Sequence, residues 1–77
     1  MNFAVGDRIR LARHAEDSAT ALDVGMVGTV RVNGALPRFD WIGVEWDGPL
    51  NDGHGHNLGG VINTCRGWNV ALDCLEP

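Results

Sequence analysis

The chain has 77 residues, is 44% hydrophobic, and carries ten acidic against six basic residues, for a formal net charge of -4. A chain of this length has enough apolar surface for one core, so we expect a single domain over residues 1–77. No apolar run approaches the ~20 residues that cross a bilayer, which argues against a membrane span. All six bases are arginine, and an acidic chain without lysine is disfavoured as a non-specific binder of nucleic acid.

The amino-terminal segment and the cysteines both favour a cytoplasmic protein. The first residues lack the basic and apolar stretches of a secretory signal, provided that this is the full-length product. Small secreted domains usually carry several disulfides, whereas this chain has two cysteines, Cys65 and Cys74. We expect both to be free and largely buried thiols, although the sequence leaves a bridge between them open.

The first two predicted strands lie on either side of a polar loop over residues 13–23. Residues 8–12 alternate, with Ile9 and Leu11 inward and two arginines outward. In the second strand, residues 24–33, a bend at Gly28 is expected to bring Val27 inward beside Val30 and Val32. The Asn33-Gly34 pair then predicts a hairpin, or the beginning of a longer connection.

Residues 40–47 are the most strand-like run in the chain, and we interpret them as the central strand. Ile42, Val44 and Trp46 fall on one face at a period of two, and Trp41, Gly43 and Glu45 on the other. The strand can therefore bury one face and present the other to solvent or a partner. Gly48-Pro49 ends it with a turn.

Residues 47–60 hold five of the eleven glycines and predict a long loop, of the kind that often carries function. Residues 61–65 are interpreted as a short strand, residues 67–71 as a dependable one, and residues 72–74 as a tight turn before a last strand at Leu75. This pattern predicts an all-β fold, a small, strongly bent antiparallel barrel of five strands. The predicted core is Ile9, Leu11, Val27, Val30, Val32, Ile42, Val44, Trp46, Trp68, Val70 and Leu75.

Residues 25–31 together with residues 41–53 resemble a CAP-Gly domain, an SH3-like barrel that binds acidic-aromatic protein tails through a Gly-Lys-Asn-Asp-Gly motif. Asn51, Asp52 and Gly53 match the end of that motif, and Pro49-Leu50 stand where the family has its Gly-Lys pair. The resemblance implies a protein partner. It places the contact at the glycine-rich loop.

Nearly the whole chain is similar to a group of small bacterial and phage SH3-like proteins of unassigned function. The shared stretches are residues 5–11, 42–47, 55–60 and 67–70. Gly28-Thr29-Val30 also resembles the KOW segments of ribosomal and transcription proteins. These similarities imply a small SH3-like five-stranded antiparallel barrel. The KOW likeness also implies a nucleic-acid partner.

Our main hypothesis is a non-enzymatic module that binds a protein or peptide in a shallow groove. An exposed tryptophan would form the wall, and glycines would let loop N–H groups approach an incoming chain. The residues assigned to this peptide-binding site are Trp41, Asn51, Asp52, Gly53, His54, His56 and Asn57.

The alternative hypothesis is KOW-like binding of nucleic acid through an arginine strip on the first two strands, formed by Arg8, Arg10 and Arg31. Neutralisation of these bases by Asp7, Glu45 or other acids is the interpretation that we prefer.

Two further kinds of site are weighed and set aside. His54-Gly55-His56 with Cys65 or Asp52 offers zinc ligands, but not at the spacing of a structural site, so we expect no metal or cofactor. Thr64-Cys65 with either histidine is the only candidate catalytic pair, and so small a domain has little room for a substrate cavity.

Overall fold

The structure is a computed structural model of the chain and describes residues 3–14, 21–34 and 40–77. Its strands are β1 (Arg8–Leu11), β2 (Val27–Asn33), β3 (Trp41–Trp46), β4 (Gly67–Ala71) and β5 (Leu75–Glu76). Short 3-10 helices cover Asn51–Gly53, Leu58–Gly60 and Leu72–Cys74. The predicted all-β class is confirmed. Across the described ranges, no helix is long and apolar enough to cross a membrane.

The strands form one antiparallel sheet in the order β4-β3-β2-β1-β5, so β3 is central as predicted. Val44 of β3 lies opposite Val30 on one side and Trp68 on the other. In the described part of the chain no strand pairing joins β4 to β5. The SH3-like barrel therefore stays a prediction, whereas the five-stranded sheet is established.

A bulge in β2 lies at Arg31, three residues after the predicted bend at Gly28. Val30 pairs with Val44 and Val32 with Gly43, so one extra residue is inserted between the two pairs. The insertion turns the Val32 side chain to the outer face of the sheet, where it is half-buried, so its predicted place in the core is wrong. Because the strand does not bend at Gly28, Val27 also faces outward and is 37% exposed, and its predicted burial is wrong.

Gly28 is instead required by close packing against β3. A Cβ atom at this position would lie 2.6 Å from Val44 Cγ1 and 2.8 Å from the Glu45 carbonyl oxygen. The backbones of β2 and β3 can therefore meet here only because residue 28 has no side chain.

The core lies under the inner face of the sheet. Eight of the predicted core residues are buried, and Trp68 is half-buried and packs against them; the eight are Ile9, Leu11, Val30, Ile42, Val44, Trp46, Val70 and Leu75. Loop and turn residues complete the buried set, and no periodicity marks them: Phe3, Ala21, Leu22, Leu50, Leu58, Ile62 and Cys74.

Residues 61–65 are a turn and a series of bends, so the predicted strand there is wrong. Both cysteines are free, as predicted. Cys74 is buried, but Cys65 lies in the irregular segment and is exposed, which corrects its predicted burial. The predicted loop at residues 13–23 and the connection after Gly34 lie partly outside the described residues.

Candidate functional site

The long glycine-rich segment is fixed to the start of β4 by backbone contacts. His56 and Gly67 exchange two hydrogen bonds, with N···O distances of 3.0 and 2.8 Å. A Cβ atom on Gly55 would lie 1.8 Å from the Cys65 carbonyl oxygen, and one on Gly67 would lie 2.6 Å from Leu58 Cγ. Only glycine allows these approaches, so the two glycines determine where the loop lies on the sheet.

Two histidines of this loop pack on Trp68 of β4. The ring centroids of His54 and His56 lie 6.0 and 5.5 Å from that of Trp68. Each ring also has an Nδ1 contact inside the loop. For His54 the contact is with the Asn51 carbonyl oxygen at 2.8 Å, and His56 Nδ1 accepts the Leu58 backbone N–H at 3.1 Å. The histidines thus order the loop.

A groove of about 390 Å³ lies between this loop and the outer face of the sheet. The "loop groove" is mostly apolar and has no Asp, Glu, Lys or Arg among its described lining residues, which are Val32, Gly34, His56, Leu58, Gly59, Val61 and Asn69. Val61 is 56% exposed. The Asn69 amide has no hydrogen-bond partner among the described residues. The groove therefore offers both apolar surface and an amide that is open to a ligand.

The bulge at Arg31 and a glycine in β3 shape this groove. The extra residue puts Val32 opposite Gly43, and Gly43 in turn lies opposite Asn69. A Cβ on Gly43 would be 2.9 Å from Val32 Cβ and 3.2 Å from Asn69 Oδ1. Glycine at this position lets the two side chains approach each other across β3.

The structure brings one predicted peptide-binding residue, His56, into the loop groove. Trp41 shares the outer face with Gly43, two residues away, and is half-buried outside the core cluster. It lies opposite Ala71, whereas the loop histidines meet Trp68. Trp41 therefore flanks the groove at the far end of β3 from the point where the long loop begins.

The other predicted residues support the loop itself. Asn51 Nδ2 donates to Asp23 Oδ1 at 3.0 Å, and the Asn51 backbone N–H donates to the Ala21 carbonyl oxygen. Asp52 and Gly53 are exposed and have φ angles of 55° and 70°. Asn57 Oδ1 accepts the Gly60 N–H at 3.1 Å. These residues shape the segment without lining the groove.

Sequence reasoning missed four side chains of the groove: Val32, Leu58, Val61 and Asn69. Asn69 could have been found, because alternation in β4 places it opposite to Trp68 and Val70. Val32 could not, since its outward direction depends on a bulge with no glycine or proline at the inserted residue. Leu58 and Val61 belong to a segment without a repeating pattern.

The proposed arginine strip is paired with carboxylates along its length. Arg8 donates to Asp47 Oδ1 at 2.7 Å and to Thr29 Oγ1 at 2.9 Å. Arg10 Nε donates to Glu76 Oε1 at 2.7 Å, and Arg31 Nε donates to Glu45 Oε1 at 3.0 Å. The preferred interpretation, neutralisation by nearby acids, is confirmed for Glu45 and extends to Asp47 and Glu76.

Glu45 is the centre of this charge network. Its Oε2 atom accepts a hydrogen bond from Thr64 Oγ1 at 2.8 Å, and the Arg66 guanidinium lies 3.8 Å away. The bonds from Thr64 and then Arg31 lower the pKa of Glu45. The hydrogen bond from Arg8 lowers the pKa of Asp47 in the same way, and Asp47 raises the pKa of Arg8.

These lowered pKa values predict an acid-dependent loss of stability. A carboxylate with a lowered folded-state pKa contributes stability above its unfolded pKa, about 4, and that contribution is lost as pH falls through the folded-state value. The urea midpoint should therefore fall between about pH 5 and pH 3. We expect Glu45→Gln to have a lower midpoint at pH 7 and a flatter acid dependence. Parallel wild-type and mutant profiles would contradict a role for Glu45.

The residues of the metal and catalytic alternatives make other contacts in the structure. Within residues 3–14, 21–34 and 40–77, no group of three or more His, Cys, Asp or Glu side chains is placed to hold a metal ion. Thr64 Oγ1 donates to Glu45, and both candidate bases, His54 and His56, lie against Trp68.

Comparison of the chain with protein-family models, with curated proteins and with solved structures finds no match in any of the three. The likeness to CAP-Gly, KOW and SH3-like proteins therefore stays a hypothesis. A functional argument has to begin from the loop groove and its surroundings.

Proposed function

We propose that this chain is a non-enzymatic module that binds an extended peptide segment of another protein. The observation that carries the proposal is the loop groove, a mostly apolar depression of about 390 Å³ that combines exposed apolar surface with an amide that has no partner among the described residues. Its volume suits one or two side chains of a peptide. The amide of Asn69 can donate to and accept from a peptide backbone.

The loop that forms one wall is held in place before any ligand arrives. The His56–Gly67 bridge and the ring contacts with Trp68 fix its path. A preformed groove avoids part of the ordering cost that weakens peptide binding. The paired arginines give no comparable support to a nucleic-acid partner, because their charges are already balanced by acids.

The test is a selection of random linear peptides displayed on phage, followed by titration of the enriched peptides. Val61→Asp places a charge in the groove and should weaken binding at least about tenfold, since the carboxylate would have to lose water on peptide binding. Val24→Asp is the matched control, because Val24 is 55% exposed against 56% for Val61 and lies outside the groove. It should bind within about twofold of wild type.

Two outcomes would overturn the proposal. One is failure of any peptide to enrich over phage without an insert. The other is equal weakening by both aspartates, which would indicate a charge effect with no specific site. If single-stranded RNA instead bound with a steep salt dependence that Arg10→Ala reduced, the alternative would replace it.

A further inference from the structure

The free edge of β4, the side away from β3, carries backbone groups that no strand among the described residues covers. Gly67 uses its N–H and C=O to pair with His56, so these groups point away from β3. In an antiparallel ladder the direction alternates, so Trp68 and Val70 bond to β3 while Asn69 and Ala71 point outward like Gly67. Neither the backbone groups of Asn69 nor the N–H of Ala71 have a partner on that side among the described residues. The carbonyl oxygen of Ala71 is used by the first i→i+3 turn of the 3-10 helix Leu72–Cys74.

This edge lacks the features that usually protect an exposed strand. Lysine, proline and inward-pointing charge are the common means of preventing strand addition. From Gly67 to Leu72 the chain has no charged residue and no proline. The opposite edge of the sheet is β5, which has only two residues and so offers little to pair with.

The chemistry differs at the two ends of the edge. The Asn69 end adjoins the mostly apolar loop groove. Beyond Ala71, a depression of about 460 Å³ is lined by two acids, Asp40 and Asp73, together with Leu72 and Leu75. The Asp73 side chain is 77% exposed, and its ion-pair partner Arg13 is 3.7 Å away. A partner that follows the edge would therefore pass from an apolar site to one where an exposed carboxylate, Asp73, is shared with Arg13.

We infer that the bound segment adds to the sheet as an antiparallel strand on the free edge of β4, with an apolar residue over the loop groove and a lysine or arginine at Asp73. This inference rests on the proposed function and specifies its partner. A second copy of the chain fits poorly, because each copy has a net charge of -4.

The antiparallel direction orders the partner's residues. The residue opposite Asn69 exchanges two backbone hydrogen bonds with it and has its side chain on the same face, over the groove. Two positions toward the amino terminus, another residue pairs with Ala71. The basic residue follows on that amino-terminal side. From its amino terminus, the partner segment should therefore have a basic residue, then an extended stretch whose side chains alternate between the two faces, and then the apolar residue that fills the groove.

Ala71→Pro tests the strand addition, because it deletes an outward N–H and leaves the bonds to β3 in place. The φ angle of Ala71 is -65°, the value that proline requires. Binding of a peptide enriched on the wild type should weaken about fivefold, the effect of one lost hydrogen bond. Ala71→Ser keeps the N–H and should bind within about twofold of wild type.

Backbone N-methylation of the same peptide tests the inference with an unaltered protein. Methylation at the residue that pairs with Asn69 should weaken binding, and methylation of the residue before it, whose N–H points away from β4, should not. Asp73→Asn should weaken the binding of a peptide with a basic amino-terminal residue. It should not change the binding of the same peptide with alanine in place of that basic residue.

The strand inference fails separately from the proposed function. If peptides enrich and Val61→Asp weakens them, but Ala71→Pro and N-methylation have no effect, the groove binds peptides without strand addition. If N-methylation weakens binding and Asp73→Asn does not, the strand addition stands, but the contact of a basic peptide residue with Asp73 is wrong. If the protein were a dimer at micromolar concentration and Ala71→Pro made it monomeric, the occupant of the edge would be a second copy of the chain.

Discussion

Replacing Gly55 with alanine is expected to displace the loop from the sheet and to lower the free energy of unfolding by on the order of 3 kcal/mol. The new Cβ would lie 1.8 Å from the Cys65 carbonyl oxygen and 2.9 Å from its carbon. Both are backbone atoms, so no rotation of a side chain relieves the overlap. One of the two segments has to move. The His56–Gly67 bridge, one residue away, should break.

Gly48→Ala is the matched control, because a Cβ there would meet nothing within 4 Å and its φ lies outside the left-handed region. Urea unfolding measures the stability of both variants, and the indole N–H resonance of Trp68 reports whether His54 and His56 still pack on it. We expect Gly55→Ala to lose peptide binding and Gly48→Ala to keep it. Equal midpoints for the two variants would show that the loop tolerates a shift at Gly55.

The sequence predicted the sheet well because its strands follow a strict alternation. Ile42, Val44 and Trp46 are buried, and Trp41 on the other face is not part of the core cluster. The same period placed Ile9 and Leu11 correctly. Alternation of apolar and polar residues indicates which face of a strand meets the core, and this inference does not require knowledge of the partner strands.

What the sequence did not predict depends on contacts between distant segments. The bulge at Arg31 is visible only in the pairing of β2 with β3, and it is the reason that Val32 lines a groove. Leu58 is buried by its packing over Gly67. The site predicted from polar and glycine-rich residues includes the loop, but not the apolar side chains that the loop encloses.

The loop groove and the β4 edge share one residue, Asn69, and this explains why a single ligand would use both. Its backbone groups point outward along the sheet, and its amide lines the groove. Gly43 permits this arrangement by leaving room beside the Asn69 side chain. A bound strand would thus gain main-chain hydrogen bonds and a side-chain contact at the same point.

Val44→Ala is expected to destabilise the fold by about 1 to 3 kcal/mol, through lost burial and the cavity that remains. Val44 is completely buried in the central strand, between Val30 and Trp68. A domain of this size has only a few kcal/mol of stability, so the loss is a large share of the total. Each kcal/mol should lower Tm by roughly 4–8 °C.

Val27→Ala provides the comparison, because Val27 lies in the neighbouring strand β2 and is 37% exposed. Both substitutions remove the same two methyl groups from a β-branched strand residue, so the loss of intrinsic strand preference is matched. Only burial differs, and Val27→Ala should change the free energy of unfolding by about 0.5 kcal/mol or less. Urea unfolding with a common m-value measures both. Equal losses for the two valines would contradict the inward direction of Val44 and, with it, the register of β3 against β2.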